Sequence, residues 1–153
     1  MRTIIIVTVN RSPAGDIDYF LNNLAETLNH TYNNNVDIIL CGDFNVNYLN
    51  DNQDKQALNS LLTSYSLYSN SIIDFPTRVY NNSQTMIDNF FMNKFKNENC
   101  LVFALINGLS NHDAQVLSLF NITTPYDTNE FYSYRKISKH SLNEFQASLS
   151  YEP

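Results

Sequence analysis

The sequence predicts an α/β fold built on a mixed, largely buried sheet, and three stretches carry that expectation. Residues 3–9, Thr3-Ile4-Ile5-Ile6-Val7-Thr8-Val9, form a dense β-branched run that reads as a strand. From Asp16 onward, Ile17, Phe20, Leu21, Leu24 and Leu28 recur at the spacing of one helix face. Residues 36–41, Val36-Asp37-Ile38-Ile39-Leu40-Cys41, are a short and nearly continuous apolar run of the kind found in sheets covered on both faces. The chain therefore opens as β-α-β.

Each element has local signals. The loop Asn10-Arg11-Ser12-Pro13-Ala14-Gly15 separates the first strand from Asp16, a good N-cap, and the helix runs to about residue 32, where Asn33-Asn34-Asn35 ends it. After a loop at 45–50, Asp51 is placed to cap a second helix with Leu58, Leu61, Leu62 and Tyr65 on its apolar face. Strand-like segments follow at 72–75, 86–92, 101–106 and 115–122, with polar turns at Asn81-Asn82, Asn97-Glu98-Asn99 and 108–113 between them. The stretch 123–135, with Pro125 and the tyrosines Tyr126, Tyr132 and Tyr134, reads as a tether. A capping box, Ser141-Leu142-Asn143-Glu144, then opens a short helix with Leu142, Phe145 and Leu149 inward.

Composition excludes several classes of function. A chain of 153 residues can bury one core but is too short for two independent domains and a linker. At 43% hydrophobic and 16% charged it is too apolar to be disordered, and its apolar runs are far shorter than the ~20 residues of a membrane span, so no membrane partner is expected. Cys41 and Cys100 form neither a disulfide framework nor a zinc spacing, which fits a reducing compartment and leaves oxygen ligands for any metal. A net charge of -6 argues against broad electrostatic adhesion to nucleic acid, while leaving room for a local basic site.

The chemistry-bearing residues sit at strand ends. Gly42-Asp43-Phe44-Asn45 follows the buried run directly, where an α/β sheet presents side chains to a crevice. Asp43 and Asn45 put a carboxylate beside a neutral amide, a pair able to orient a water and hold a phosphate oxygen; an Asx turn closing the strand explains the same residues. His112, in Ser110-Asn111-His112-Asp113, gains interest only if a buried carboxylate fixes its tautomer. Asp88, within the apolar Met86-Ile87-Asp88-Asn89-Phe90-Phe91, is the candidate, since a carboxylate in such a strand must be paired or hydrogen-bonded, if only to backbone. Arg11 and the pair Thr77-Arg78 also follow strands; either arginine could meet a phosphate, although a surface arginine is the commoner case.

In order along the chain, these signals are Arg11-Ser12-Pro13 with Gly15-Asp16, then Ile39-Leu40-Cys41-Gly42-Asp43-Phe44-Asn45, Pro76-Thr77-Arg78, Ile87-Asp88, and Gly108-Leu109-Ser110-Asn111-His112-Asp113-Ala114-Gln115. Taken together they resemble the endonuclease/exonuclease/phosphatase superfamily, and most closely the apurinic-type endonuclease domain of non-LTR retrotransposons. The resemblance implies a four-layer α/β/β/α sandwich of which this chain supplies about half. Residues 1–122 would be a partial domain, and 123–153 a tether and short C-terminal helix leading towards a reverse transcriptase. It also implies hydrolysis of phosphodiester bonds in DNA with Mg²⁺, or alternatively Mn²⁺, and a nuclear location. On that analogy Asp43 orients the attacking water, Asn45 holds the phosphate, and Asp88 pairs with His112, which contacts the scissile phosphate. Arg11, Thr77 and Arg78 lie along the substrate, and Asn111 stands on the metal side of the site.

The departures are specific. The family's metal-binding Glu has no counterpart, the first glutamate being Glu26 inside the predicted helix; Asn111 replaces an Asp, and Asn10 stands where a Tyr is usual. Without the N-terminal half, one face of the sheet is expected to be uncovered. The expectation is thus a truncated endonuclease domain, weak or inactive alone, whose partners are DNA, the missing half and a downstream reverse transcriptase. The alternatives are a phosphatase or phosphodiesterase of the same superfamily, or a non-catalytic remnant that binds nucleic acid or protein.

Overall fold

The structure, a computed structural model, describes residues 3–33, 35–69, 75–93, 100–106, 108 and 110–120, together with 138–140, 143 and 147. The chain divides into two units, Met1–Ile122 and Thr123–Pro153. In the second, Lys139, His140, Asn143 and Ala147 are helical; the expected tether and the capping box with its apolar face lie largely outside the described residues. No helix among the described residues is long and apolar enough to cross a membrane.

The first unit opens with strand β1 (Thr3–Asn10), helix α1 (Ile17–Thr31) and strand β2 (Val36–Asp43). β1 and β2 run parallel, and α1 is the crossover that parallel neighbours require. Asp16 caps α1 as its composition predicts, accepting from the Tyr19 amide at 2.8 Å. Helix α2 (Gln53–Ser64) follows, capped not by Asp51 but by Asn52, whose carbonyl oxygen accepts from the Lys55 amide at 2.8 Å. The Asn52 amide nitrogen also donates back to the Asn47 carbonyl, a second bond that a carboxylate could not make, and Asp51 instead accepts from Gln56.

The remaining strands are β3 (Tyr68–Ser69), β4 (Arg78–Tyr80), β5 (Ser83–Thr85), β6 (Asp88–Met92), β7 (Cys100–Leu105) and β8 (Ala114–Leu119). The main sheet has four strands in the order β1-β2-β6-β3, with β6 antiparallel to both its neighbours. β4 pairs with β5, and β7 with β8, as two hairpins. Of the expected strand at 72–75, residues 72–74 lie outside the described residues and Phe75 is in a bend. The turn expected at Asn81-Asn82 proves to be the tip of the β4–β5 hairpin, with Asn81 at φ 52°, a conformation Asn tolerates better than most residues.

The core lies on both sides of β2. On one side Leu24 and Leu28 of α1 and Leu58 and Leu62 of α2 close over Ile38, Leu40, Phe44 and Phe91. On the other, Ile39 and Met92 pack beneath Cys100, with Leu117 and Leu119 against them. The sheet face expected to be bare is therefore covered at its centre by the β7–β8 hairpin. Exposure persists at its margin, where Ile6 is 64% accessible, and on the outward side of β7 at Leu101, Phe103 and Leu105. One residue fixes the spacing of β1 and β2. Gly42 has φ +130°, and a Cβ there would stand 2.0 Å from the Val9 carbonyl oxygen, so only glycine fits.

A candidate active site at the ends of β2 and β6

Asp43 ends β2 and Asp88 begins β6, and the antiparallel register sets them directly opposite each other. Opposed residues present side chains to the same face, so the two carboxylates converge. Asn10, the last residue of β1, is in register with Asp43 from the other side. His112 arrives from the 110–113 loop, which the backbone clamps to β4: the Val79 amide donates to the Asn111 carbonyl at 2.9 Å, and the Asp113 amide to the Thr77 carbonyl at 2.8 Å. The result is that Asp43, Asp88 and His112 each bring a ligand-type atom to within 4.8 Å of the others.

His112 Nδ1 lies 3.1 Å from Asp88 Oδ2. The carboxylate holds the proton on Nδ1 and turns Nε2 outward, the arrangement in which a histidine can serve a substrate. Its side chain is 34% accessible, compared with 20% for Asp88. Asp88 is not left to the backbone: Thr77 Oγ1 donates to the same Oδ2 at 2.8 Å and accepts from the Ile87 and Asp88 amides at 3.1 Å each. Burial pushes the Asp88 carboxyl above its usual value. The Thr77 donation pulls it down, the Asp43 charge raises it, and His112 lowers it.

Several residues expected at the substrate have other work. Thr77 is fully buried and touches no solvent, so its role is to hold Asp88. Arg11 is buried too, and its Nε, Nη1 and Nη2 donate to the carbonyls of Phe44, Gly15 and Asn45 at 2.8, 2.7 and 2.8 Å. With three of its five N–H groups on backbone carbonyls and the side chain buried, it ties the loop after β1 to the turn after β2. Asn45, at φ 49°, closes an Asx turn in which Asp43 Oδ1 accepts its amide at 2.9 Å. One side-chain N–H goes to the Arg11 carbonyl and one remains. The turn and the catalytic reading of Asp43-Phe44-Asn45 are thus compatible.

Asn111, expected on the metal side, meets Arg78: with its amide turned so that the oxygen faces the guanidinium, it accepts from Nε at 3.1 Å and Nη2 at 3.3 Å. The oxygens left are one on Asp43 and one on Asp88, neither hydrogen-bonded among the described residues. A donor set of two hard carboxylate oxygens fits Mg²⁺, which needs one or two protein carboxylates and keeps several waters, and Mn²⁺ would additionally tolerate the imidazole. Sequence reasoning missed Asn47, whose Oδ1 accepts from the Met86 and Leu49 amides at 3.0 and 3.1 Å and so fixes the approach to β6. Its signal was available as the second asparagine of Asn45-Val46-Asn47. Gln115, the last residue of the motif 108–115, was given no role from the sequence and donates to the Asp88 carbonyl at 2.9 Å.

No family model matches the chain, and no curated protein matches it. Among solved structures, the endonuclease domain of TRAS1, a telomere-specific non-LTR retrotransposon, aligns over 72% of this chain with a TM-score of 0.62 and 17% identity. The two share one fold. The α/β class and the architecture implied by the motif resemblance are thereby met. The chain spans about half of that domain, 53% of its length. An endonuclease/exonuclease/phosphatase family protein from Leptotrichia buccalis C-1013-b aligns over 65% of this chain and 42% of its own, with a TM-score of 0.49 and 20% identity.

Proposed function

We propose that the site hydrolyses phosphodiester bonds in DNA with the help of a divalent cation. The observation that carries this reading is the Asp88–His112 pair set against Asp43 across adjacent strands. Asp43, partly solvent-accessible at a strand end, orients a water and takes its proton as the water oxygen attacks phosphorus. His112, with Nδ1 anchored on Asp88, donates in its protonated form from Nε2 to a non-bridging oxygen; the P–O3′ bond breaks opposite the attack, its electron pair leaving on the 3′ oxygen, which takes a proton from solvent to give the 3′ hydroxyl. The Asn45 N–H left free by the bond to the Arg11 carbonyl donates to a second phosphate oxygen. Asp43 and Asp88 would hold Mg²⁺ or Mn²⁺, whose charge when bound offsets that accumulating on the phosphate.

That the fold shared with the TRAS1 endonuclease domain covers only about half of that domain supports a slow reaction for the chain by itself, completed by a further segment in a larger protein. A reverse transcriptase downstream and a nuclear setting belong to the same reading. The test is nicking of supercoiled plasmid by the purified chain, with Mg²⁺ or with chelator, beside Asp43→Ala and His112→Ala. Slow, chelator-sensitive nicking that falls by about 100-fold or more in each variant is expected from the loss of an acid–base or phosphate-binding group. Nicking indifferent to both substitutions, or to chelator, would refute the assignment.

A further inference from the structure

The pairing of Arg78 with Asn111 has a consequence for charge. Arg78 lies at the start of β4, bridged through the backbone to His112, and its guanidinium meets the side chain of the neighbouring Asn111. Its Nε and Nη2 converge on the neutral Asn111 amide, whose oxygen accepts from both when turned towards them, and its guanidinium carbon stands 5.7 Å from the centre of the Tyr80 ring. Among the described residues no carboxylate lies within ion-pair distance of it. Asp88 is bonded through Oδ2 to His112 and Thr77. The arginine is half-buried, held in place from one side by a group that carries no charge, and its Nη1 has no partner among the described residues.

We propose that Asn111 is a positioning residue that orients Arg78 without neutralising it, so that Arg78 supplies the site's fixed positive charge for a phosphate of the bound strand. The inference rests on the phosphodiester reading and deepens it by assigning the anion-binding group. A carboxylate at 111 would meet the same two nitrogens as a bidentate ion pair and cancel the charge. Asn111→Asp, the change that restores the family's residue, therefore weakens substrate binding instead of improving it.

The test is anisotropy of a labelled 12-base-pair duplex, titrated in chelator over a range of salt with wild type, Arg78→Gln, Asn111→Asp and the double variant. Melting temperature reports that each is folded; a new ion pair leaves it unchanged or raises it in Asn111→Asp. Each single variant is expected to bind about tenfold more weakly, with the salt slope reduced by roughly 0.9, the loss of one phosphate contact. In the Arg78→Gln background Asn111→Asp should cost little more, because the charge it would quench is already gone. Asn111→Asp binding as tightly as wild type overturns the inference, and so does an equal loss in both backgrounds, which would mean direct repulsion. Absence of any wild-type binding overturns it as well. If the duplex binds in this pattern but no nicking is seen, the hydrolytic reading fails and the role of Arg78 stands.

Discussion

Replacing Thr77 by valine tests the support of the site with the least change of shape. The side chain is fully buried, and its hydroxyl makes one bond to the Asp88 carboxylate and accepts two backbone amides, which is all a hydroxyl can do. Valine fills the same volume and removes all three. Two amides lose their acceptor and a half-buried carboxylate loses a donor; since an unsatisfied buried group costs about 1–3 kcal/mol and these three share one oxygen, the expected loss is about 2–4 kcal/mol. In urea, with slopes of roughly 1–3 kcal/mol/M, the midpoint falls by about 1–2 M at unchanged slope. Thr77→Ser keeps the hydroxyl and should lose only about 1 kcal/mol for the missing methyl.

The pH dependence has a defined sign. Asp88 is raised in the folded state by burial, so its contribution to stability is greatest at acid pH and is lost as pH rises through its folded value. Thr77 lowers that value; without it the carboxyl moves further up, and the deficit of Thr77→Val relative to wild type grows as pH rises through the titration of Asp88. Urea titrations at a series of pH values, with NMR observation of the Asp88 carboxyl carbon, measure both. A midpoint shift below about 0.5 M, or a deficit that shrinks towards neutral pH, would refute the reasoning.

Two further changes probe the scaffold. Asn89 is 1% accessible, and neither polar atom of its amide has a hydrogen-bond partner among the described residues, so Asn89→Leu should stabilise the protein by about 1–3 kcal/mol in thermal or urea unfolding; a loss of stability would mean that the amide has a partner in solution. Gly42→Ala sets a methyl against the Val9 carbonyl at an unfavourable φ and should cost about 3 kcal/mol or more, read as loss of the cooperative melt in circular dichroism.

What was legible in the sequence follows from which interactions are local. The face of α1 from Ile17 to Leu28 and the two-sided burial of Ile38 and Ile39 are periodic signals, and the structure has both. The pairing of Asp88 with His112 was legible more indirectly, because an acid in an apolar strand needs a partner and the chain holds only three histidines. The work of Arg11 was hidden: an arginine after a strand looks the same whether it faces solvent or turns back, and here two carbonyls of the turn after β2 and one of its own loop draw it inward. Thr77 was misplaced for a similar reason, since its burial depends on the β4–β5 hairpin, whose strands are too short to leave a periodic trace. Asn52 displaced Asp51 as a cap through a bond to Asn47 that no capping rule contains.

The clamping of the 110–113 loop gives the imidazole its own opening equilibrium. His112 is held by two main-chain bonds, from the amides of Val79 and Asp113, and by one side-chain contact 24 residues back in sequence. The ladder between β2 and β6 does not depend on any of them. The loop can therefore lift while the sheet stays intact, a sub-global excursion costing less than full unfolding. Deuterium uptake at those two amides, compared with uptake along β2, measures the fraction of molecules in which the carboxylates stand without their histidine. That fraction sets a ceiling on any chemistry the three groups perform together.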